Sequence, residues 1–327
     1  MDEAAYTRST VYFPSVGDQL EGWLYLPKHT GGASASHSPY PVVLMAHGLG
    51  AQKDFGLHKY AGSFASSGLA VLVFDYRSFG GSGGEPRQWV SPARHIADWA
   101  AAVRFVQGGG LGADVDPARV ALWGTSFAGG HVLVTAAAFK GNISAVISQV
   151  PHLDGLAASK SSMQHRGLLG TLRLAAAGLH DYLRSCVGLS GAYVKLVGGY
   201  SELAFMQLGP EELQSYFMKH PKKKLGGWQP RALARFALES SGYSPINYLG
   251  SVTAPVMFVT ALQDSLCNPE LIRRAADLLK GRAELHEYDS NHFDIYLEPT
   301  FSDNCGRMTE FLHKHLRTSH SPAGNSV

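Results

Sequence analysis

The chain has 327 residues, enough for about two domains at ~150 residues each, or for one α/β fold carrying an insertion. Hydrophobic residues make up 45% and charged residues 17%, which excludes disorder over most of the chain and allows a large core without disulfides or metals as staples. Lys+Arg 28 against Asp+Glu 26 leaves a net charge of +2, so the balance gives no electrostatic footprint for nucleic acid.

The first residues, Met1-Asp2-Glu3-Ala4-Ala5, are acidic and lack the apolar centre of a secretory signal. Residues 11–13 and 20–26 are rich in strand formers and flank Gly17-Asp18, which predicts a hairpin. Residues 31–38 are Gly/Ser/Ala-rich and read as a loop. Val42-Val43-Leu44-Met45-Ala46 is then a continuous apolar run, the pattern of a strand buried on both faces. The same pattern returns at 70–74, 120–123, 146–150 and 256–259. Between these runs lie helical spacings: Ile96, Trp99, Ala100, Val103 and Val106; the small helix formers of 126–139; and Leu271, Ile272, Ala275, Leu278 and Leu279 after the start signal Asn268-Pro269-Glu270. Strands alternating with helices predict a mostly parallel sheet covered on both sides.

Residues 152–250 break the alternation. Leu168, Leu169, Leu172, Leu179 and Leu183 suggest one helix, Leu213, Tyr216 and Phe217 a second, and Leu233, Phe236 and Ala237 a third. The segment is expected to be a helical insertion between two parts of the core, 1–151 and 251–317, with its apolar residues mostly forming its own interior. Pro221-Lys222-Lys223-Lys224 reads as a solvated loop, and 318–327 as a frayed tail. No apolar run reaches the ~18 residues that span a bilayer. Cys186, Cys267 and Cys305 are few, odd in number and widely spaced, so the expected compartment is the reducing cytoplasm.

Chemistry concentrates where strands end. Gly124-Thr125-Ser126-Phe127-Ala128-Gly129 follows the run at 120–123 and opens a helix. This is the setting of a nucleophile elbow, a sharp turn that lifts a Ser Oγ above the sheet, and small residues are needed where strand and helix backbones approach. The helix N-terminus adds backbone N–H groups for a developing oxyanion. Serine needs a base, and His292 falls just past the alternating segment 284–288. The imidazole needs an anion to fix its tautomer. Asp264 directly follows the run at 256–259, and Asp154, after the run at 146–150, is its rival. Asp75 and Arg77 read as a pair bracing a loop, and His47 as a structural histidine. Gly80-Gly81-Ser82-Gly83-Gly84 lacks the lysine and the spacing of a phosphate cradle.

The order Ser126, Asp264, His292 is that of an α/β-hydrolase triad. With His47-Gly48-Leu49-Gly50, Asp75-Tyr76-Arg77-Ser78-Phe79-Gly80-Gly81-Ser82, Ala261-Leu262-Gln263-Asp264 and Asn291-His292-Phe293-Asp294, the chain resembles the α/β-hydrolase superfamily. Within it, the chain is most similar to capped serine hydrolases related to dienelactone hydrolases and to fungal polyketide hydrolases or transferases. True dienelactone hydrolases use a Cys nucleophile, where this chain has Ser126. The resemblance implies a three-layer α/β-hydrolase fold with an inserted helical cap, and an oxyanion hole from the backbone N–H groups of Leu49 and Phe127. It implies cleavage of an ester, thioester or lactone through an acyl-enzyme, with no cofactor and no metal. Acyl transfer by the same triad, or ligand binding without catalysis, are the alternatives. The expected partner is a small-molecule acyl substrate, with no nucleic acid and no membrane span; the oligomeric state stays open. His152, Leu172, Phe205, Tyr216 and Phe217 are the expected pocket residues.

Overall fold

The computed structural model describes residues 5–28, 38–218 and 228–316. The expected loop at 31–38 (apart from Ser38), the lysine run at 222–224 and the expected tail at 318–327 lie outside the described residues.

The chain opens as a hairpin of β1 (Tyr6–Ser15) and β2 (Asp18–Pro27), paired from Tyr6↔Pro27 to Ser15↔Asp18. Its two turn residues, Val16 (φ 47°) and Gly17 (φ 88°), both take positive φ, as a two-residue hairpin turn demands. Five central strands follow the apolar runs: β3 (Tyr40–Ala46), β4 (Ala70–Phe74), β5 (Val115–Thr125), β6 (Ala145–Gln149) and, far along the chain, β10 (Val256–Ala261). The last strand, β11 (Ala283–Tyr288), lies at the sheet's far edge. The order is β1-β2-β4-β3-β5-β6-β10-β11, parallel from β4 onward.

Alternation within the runs builds two cores. Along β3, Val42, Leu44 and Ala46 enter one apolar cluster, and Val43 and Met45 the other. Helices α2 (Pro92–Gln107) and α3 (Phe127–Ala138) cover the first face through Trp99, Val103, Val132 and Leu133, as does α7 (Pro269–Leu278) through Ile272. Helices α1 (Leu57–Ser66) and α8 (Thr300–Leu316) cover the second through Tyr60, Phe64, Met308 and Phe311. The result is three layers.

The insertion between β6 and β10 is more than helical. Helix α4 (Gly155–Cys186) opens it, breaking from helical geometry at Gly167. A three-stranded sheet follows, β8 (Ala204–Gln207) and β9 (Arg231–Leu233) flanking β7 (Tyr193–Gly198), together with α5 (Pro210–Met218) and α6 (Phe236–Glu239). Sequence spacing gives helices here and no strands. The leucines behind that spacing are real helix residues, but Leu168, Leu169, Leu172, Leu179 and Leu183 stand exposed. The interior of the insertion is instead formed by Leu174, Val194 and Ala234. Its charged tie is buried: Arg235 grips Asp181 through Nε and Nη2, at 2.7 and 3.1 Å. It docks on the loop after β3, where Trp228 donates to the Gly50 carbonyl at 2.7 Å.

One further expectation is adjusted. Asp75 and Arg77 brace loops, but not with each other. Asp75 accepts from the Lys53 backbone N–H at 2.7 Å and pairs with its buried ammonium, whereas Arg77 pairs with Asp98 at 2.6 Å. Both partners lie more than twenty positions away in sequence, so adjacency in the chain is a poor guide to pairing.

Candidate active site

The chain visits β3, moves to β4 on one side, then returns to place β5 on the other. Strand order therefore reverses between β3 and β5, and ligands of open α/β sheets bind at such switch points, beyond the strands' C-terminal ends. The Leu49 loop leaves β3 there, and Ser126 leaves β5.

Ser126 is held at φ 56°, ψ −119°, a conformation that side-chain-bearing residues avoid. The surroundings over-determine it. Its N–H donates to the Gln149 carbonyl at 2.8 Å, and its own carbonyl accepts from Gly129 and His152, each at 2.9 Å. The turn needs a residue without Cβ two places earlier, since a Cβ on Gly124 would fall 2.2 Å from the Ala128 carbonyl oxygen. Ala128, in place of a second elbow glycine, fits fully buried.

His292 and Asp264 reach this serine from the other end of the sheet. Ser126 Oγ–H donates to His292 Nε2 at 3.1 Å, and His292 Nδ1–H donates to Asp264 Oδ2 at 2.6 Å. The other Asp264 oxygen accepts from the N–H groups of Leu266 and Cys267, at 2.8 and 2.7 Å. Imidazole and carboxylate are both buried. Such a relay can take a proton from Oγ as it attacks, while the anion steadies the imidazolium. Asp154 lies elsewhere: it caps α4, accepting from Ala157 N–H at 2.9 Å.

His47 is tied into its own loop. Its Nε2–H donates to the Phe55 carbonyl at 2.8 Å, and its Nδ1 accepts from Gly48 N–H at 2.9 Å. Leu49 and Phe127 line the cavity beside Ser126, and among the described residues no hydrogen bond engages the N–H of either.

Two cavities meet at Ser126. The larger, about 190 Å³, runs under the insertion between Leu49, Phe127, His152, Leu174, Phe205 and Phe236. A smaller one, about 30 Å³, lies toward His47, Tyr216 and Phe293. His152 and Phe205 thus line the main cavity, and Tyr216 the side one. Leu172 does not line either: it is 57% exposed, because the cavity side of its turn is taken by Thr171, Leu174 and Ala175. The Phe217 side chain is outside the described residues.

Sequence reasoning missed three groups. Cys267 lines the cavity and belongs to the one trio of metal-capable side chains among the described residues, with Asp264 and His292. Burial, then the Asp264 charge, push its thiol well above the ordinary range, so the ligand form is disfavoured. Behind Phe127 lies a buried histidine network, His95 Nδ1 to His131 Nε2 at 3.2 Å and His131 Nδ1 to the Tyr243 hydroxyl at 2.6 Å. Burial lowers His95 to about 3 and His152 to about 4, and holds His131 well below the usual imidazole range. These rings are neutral and leave His292 as the imidazole facing Ser126. The third group is Arg166, which no sequence pattern marks.

Comparison with known proteins agrees in kind. A family model described as alpha/beta hydrolase fold matches residues 41–299. The quorum-quenching protein AidA of Acinetobacter baumannii is 33% identical over 305 residues, covering 93% of this chain and 94% of its own. The polyketide transferase ATR5 of Stachybotrys chlorohalonatus is 29% identical over 340 residues, 96% of this chain and 97% of its own. Among solved structures, the alpha/beta hydrolase GrgF from Penicillium sp. sh18 superposes with a TM-score of 0.76 at 24% identity, covering 95% of this chain and all of that one. That last likeness speaks for the fold.

Proposed function

The chain belongs to the alpha/beta hydrolase fold family, and on that premise we propose that it is a serine hydrolase cleaving an ester, thioester or lactone through an acyl-enzyme. The observation that carries this reading is the continuous relay Ser126–His292–Asp264, at 3.1 and 2.6 Å, with Ser126 lining a mostly apolar cavity. Ser126 Oγ attacks the acyl carbon while His292 Nε2 takes its proton. Asp264 holds the imidazolium that forms. The oxyanion is received by the N–H groups of Leu49 and Phe127, donors to charge that develops only in the transition state. Collapse expels the alcohol or thiol, protonated by His292. Water then enters, gives its proton to His292 and releases the acid.

The insertion, residues 152–250, acts as a cap in this reading. It leaves β6 and returns at β10, so it roofs the strand ends that carry the relay, excludes water and shapes the acyl site.

A second reading is acyl transfer, in which a bound alcohol or amine replaces water. The relative named a polyketide transferase, matched over nearly the whole chain, favours keeping it. Both readings share the acyl-enzyme. Labelling by a fluorophosphonate, absent in Ser126→Ala, tests the shared step. Product analysis on nitrophenyl esters with and without added acceptor separates the two. A protein that takes up no label and releases no nitrophenol overturns both and leaves a ligand-binding role.

A further inference from the structure

The cavity under the insertion has one charged side chain among its described lining residues, Arg166. Its Nη2 donates to the backbone carbonyls of Ala204 and Phe205, at 2.7 and 3.0 Å, which fixes the guanidinium against β8. Among the described residues no carboxylate lies within ion-pairing distance of it, unlike the buried arginines Arg77 and Arg235, each of which has an aspartate. Its Nε–H is buried with no partner.

The local backbone is arranged around this side chain. Helix α4 breaks one residue later, at Gly167, whose φ of 71° suits glycine. The following turn keeps the arginine stem free: a Cβ on Gly170 would fall 2.4 Å from Arg166 Cγ and 3.3 Å from Cδ. A half-buried cation without an anion is costly in an apolar wall, and removing it from water lowers its pKa. A carboxylate delivered by a ligand would supply the missing charge and accept from the unpartnered Nε–H.

We propose that Arg166 binds a carboxylate on the acyl part of the substrate, remote from the bond that Ser126 attacks, so that the enzyme prefers acyl groups ending in an acid. The proposal builds on the reading of Ser126 as nucleophile. It also orients the substrate: an apolar stem passes between Phe127, Phe205 and Phe236, with the acyl carbonyl at Ser126 and the anion at Arg166.

The test compares mono-nitrophenyl esters of adipic and suberic acid with the same compounds capped as neutral methyl esters. Wild type should prefer the free acids in kcat/KM by about tenfold or more, the scale of a partly desolvated charge contact. Arg166→Met should reduce that preference ratio about tenfold, and Arg166→Lys should retain part of it. Equal rates on acid and methyl ester in wild type, or a uniform fall on both in the variants, overturns the proposal. If Arg166→Met does not fold, the wild-type ratio and Arg166→Lys still decide.

Calorimetric binding of suberate to Ser126→Ala, with and without Arg166→Met, gives a readout free of catalysis. Suberate bound through Arg166, in a protein that cleaves no ester, sinks the nucleophile reading and leaves the arginine site standing. Ester cleavage without charge preference or arginine-dependent binding does the reverse.

Discussion

Gly48 and Ser126 lie back to back: a Cβ on Gly48 would sit 2.9 Å from the Ser126 Cβ and 3.1 Å from the Thr125 carbonyl oxygen. Neither neighbour can give way, since one is the root of the reactive side chain and the other is backbone in β5. Gly48→Ala should therefore push the Leu49 loop away from Ser126. We expect kcat/KM to fall by about 10²-fold, the scale of a misplacement near 1 Å, with a stability loss of about 1–3 kcal/mol. Full activity on nitrophenyl acetate in this variant would remove the Leu49 N–H from the mechanism.

Ser126→Ala should lower kcat by ~10³-fold or more while the fold persists. A glycine at the same place is a sharper probe. The positive φ of Ser126 costs of order 1–3 kcal/mol, and glycine is free of that cost. Ser126→Gly should accordingly be as inactive as Ser126→Ala but more stable by about 1 kcal/mol in urea. Equal midpoints for the two variants would mean that the elbow stores no strain.

Asp264→Asn should keep its Oδ1 contacts to Leu266 and Cys267, and so turn its amide toward His292 Nδ1. The imidazole would then carry its proton on Nε2 and could not accept from Ser126. A loss of ~10³–10⁴-fold in kcat/KM is expected, with fluorophosphonate labelling slowed in parallel. Labelling at the wild-type rate would contradict the role.

The buried histidines set an acid limit on stability. His95 titrates at about 3 and His152 at about 4, both lowered first by burial, with Arg94 and Arg77 adding to the shift of His95. Imidazole in the unfolded chain titrates near ~6.5. As pH falls, the unfolded state binds protons first, so stability is complete above ~6.5 and is lost progressively toward the two folded values. Each ring contributes up to about 1.4 kcal/mol per pH unit to that slope. Urea midpoints taken from pH 7.5 to pH 5 should fall, and His95→Asn should flatten the decline. An identical slope in variant and wild type would reject the assignment.

Phe205 narrows the main cavity, and Leu172 on the same insertion faces outward. Phe205→Ala should raise kcat/KM for long acyl chains relative to acetate about tenfold, whereas Leu172→Ala should leave the chain-length profile unchanged. The size follows from the 10–200-fold worth of a methylene in a fitted pocket. A profile shifted by Leu172→Ala and not by Phe205→Ala would place the acyl site on the other face of the insertion.

The relay was legible because each member directly follows a strand that announces itself: Ser126 after Thr125, Asp264 after β10, His292 after β11. β5 and β10, buried on both faces, leave unbroken apolar runs, the edge strand β11 leaves an alternating one, and the loops after them are short. The insertion obeys no such rule. Tyr193–Gly198 is a short apolar strand without clean alternation, beside a long leucine-rich helix whose spacing dominates the reading, and the leucines of that spacing face outward. Arg166 is one of four Lys and Arg residues along α4, and nothing in the spacing singles it out. What distinguishes it is that no carboxylate among the described residues lies within ion-pairing distance, and such a gap in space leaves no trace along a sequence. The Lys53–Asp75 and Arg77–Asp98 pairs were hidden for the same reason, since each partner comes from another element.

The hydrogen bond from Ser126 to His292 joins residues 166 positions apart. During synthesis the elbow can form as soon as β5, β6 and α3 are out, yet the base that arms it emerges only after the entire insertion and two more strands. On the proposed mechanism reactivity is the last property the chain acquires, and a product truncated after β6 but before β11 should carry a serine turn that no acylating probe can label.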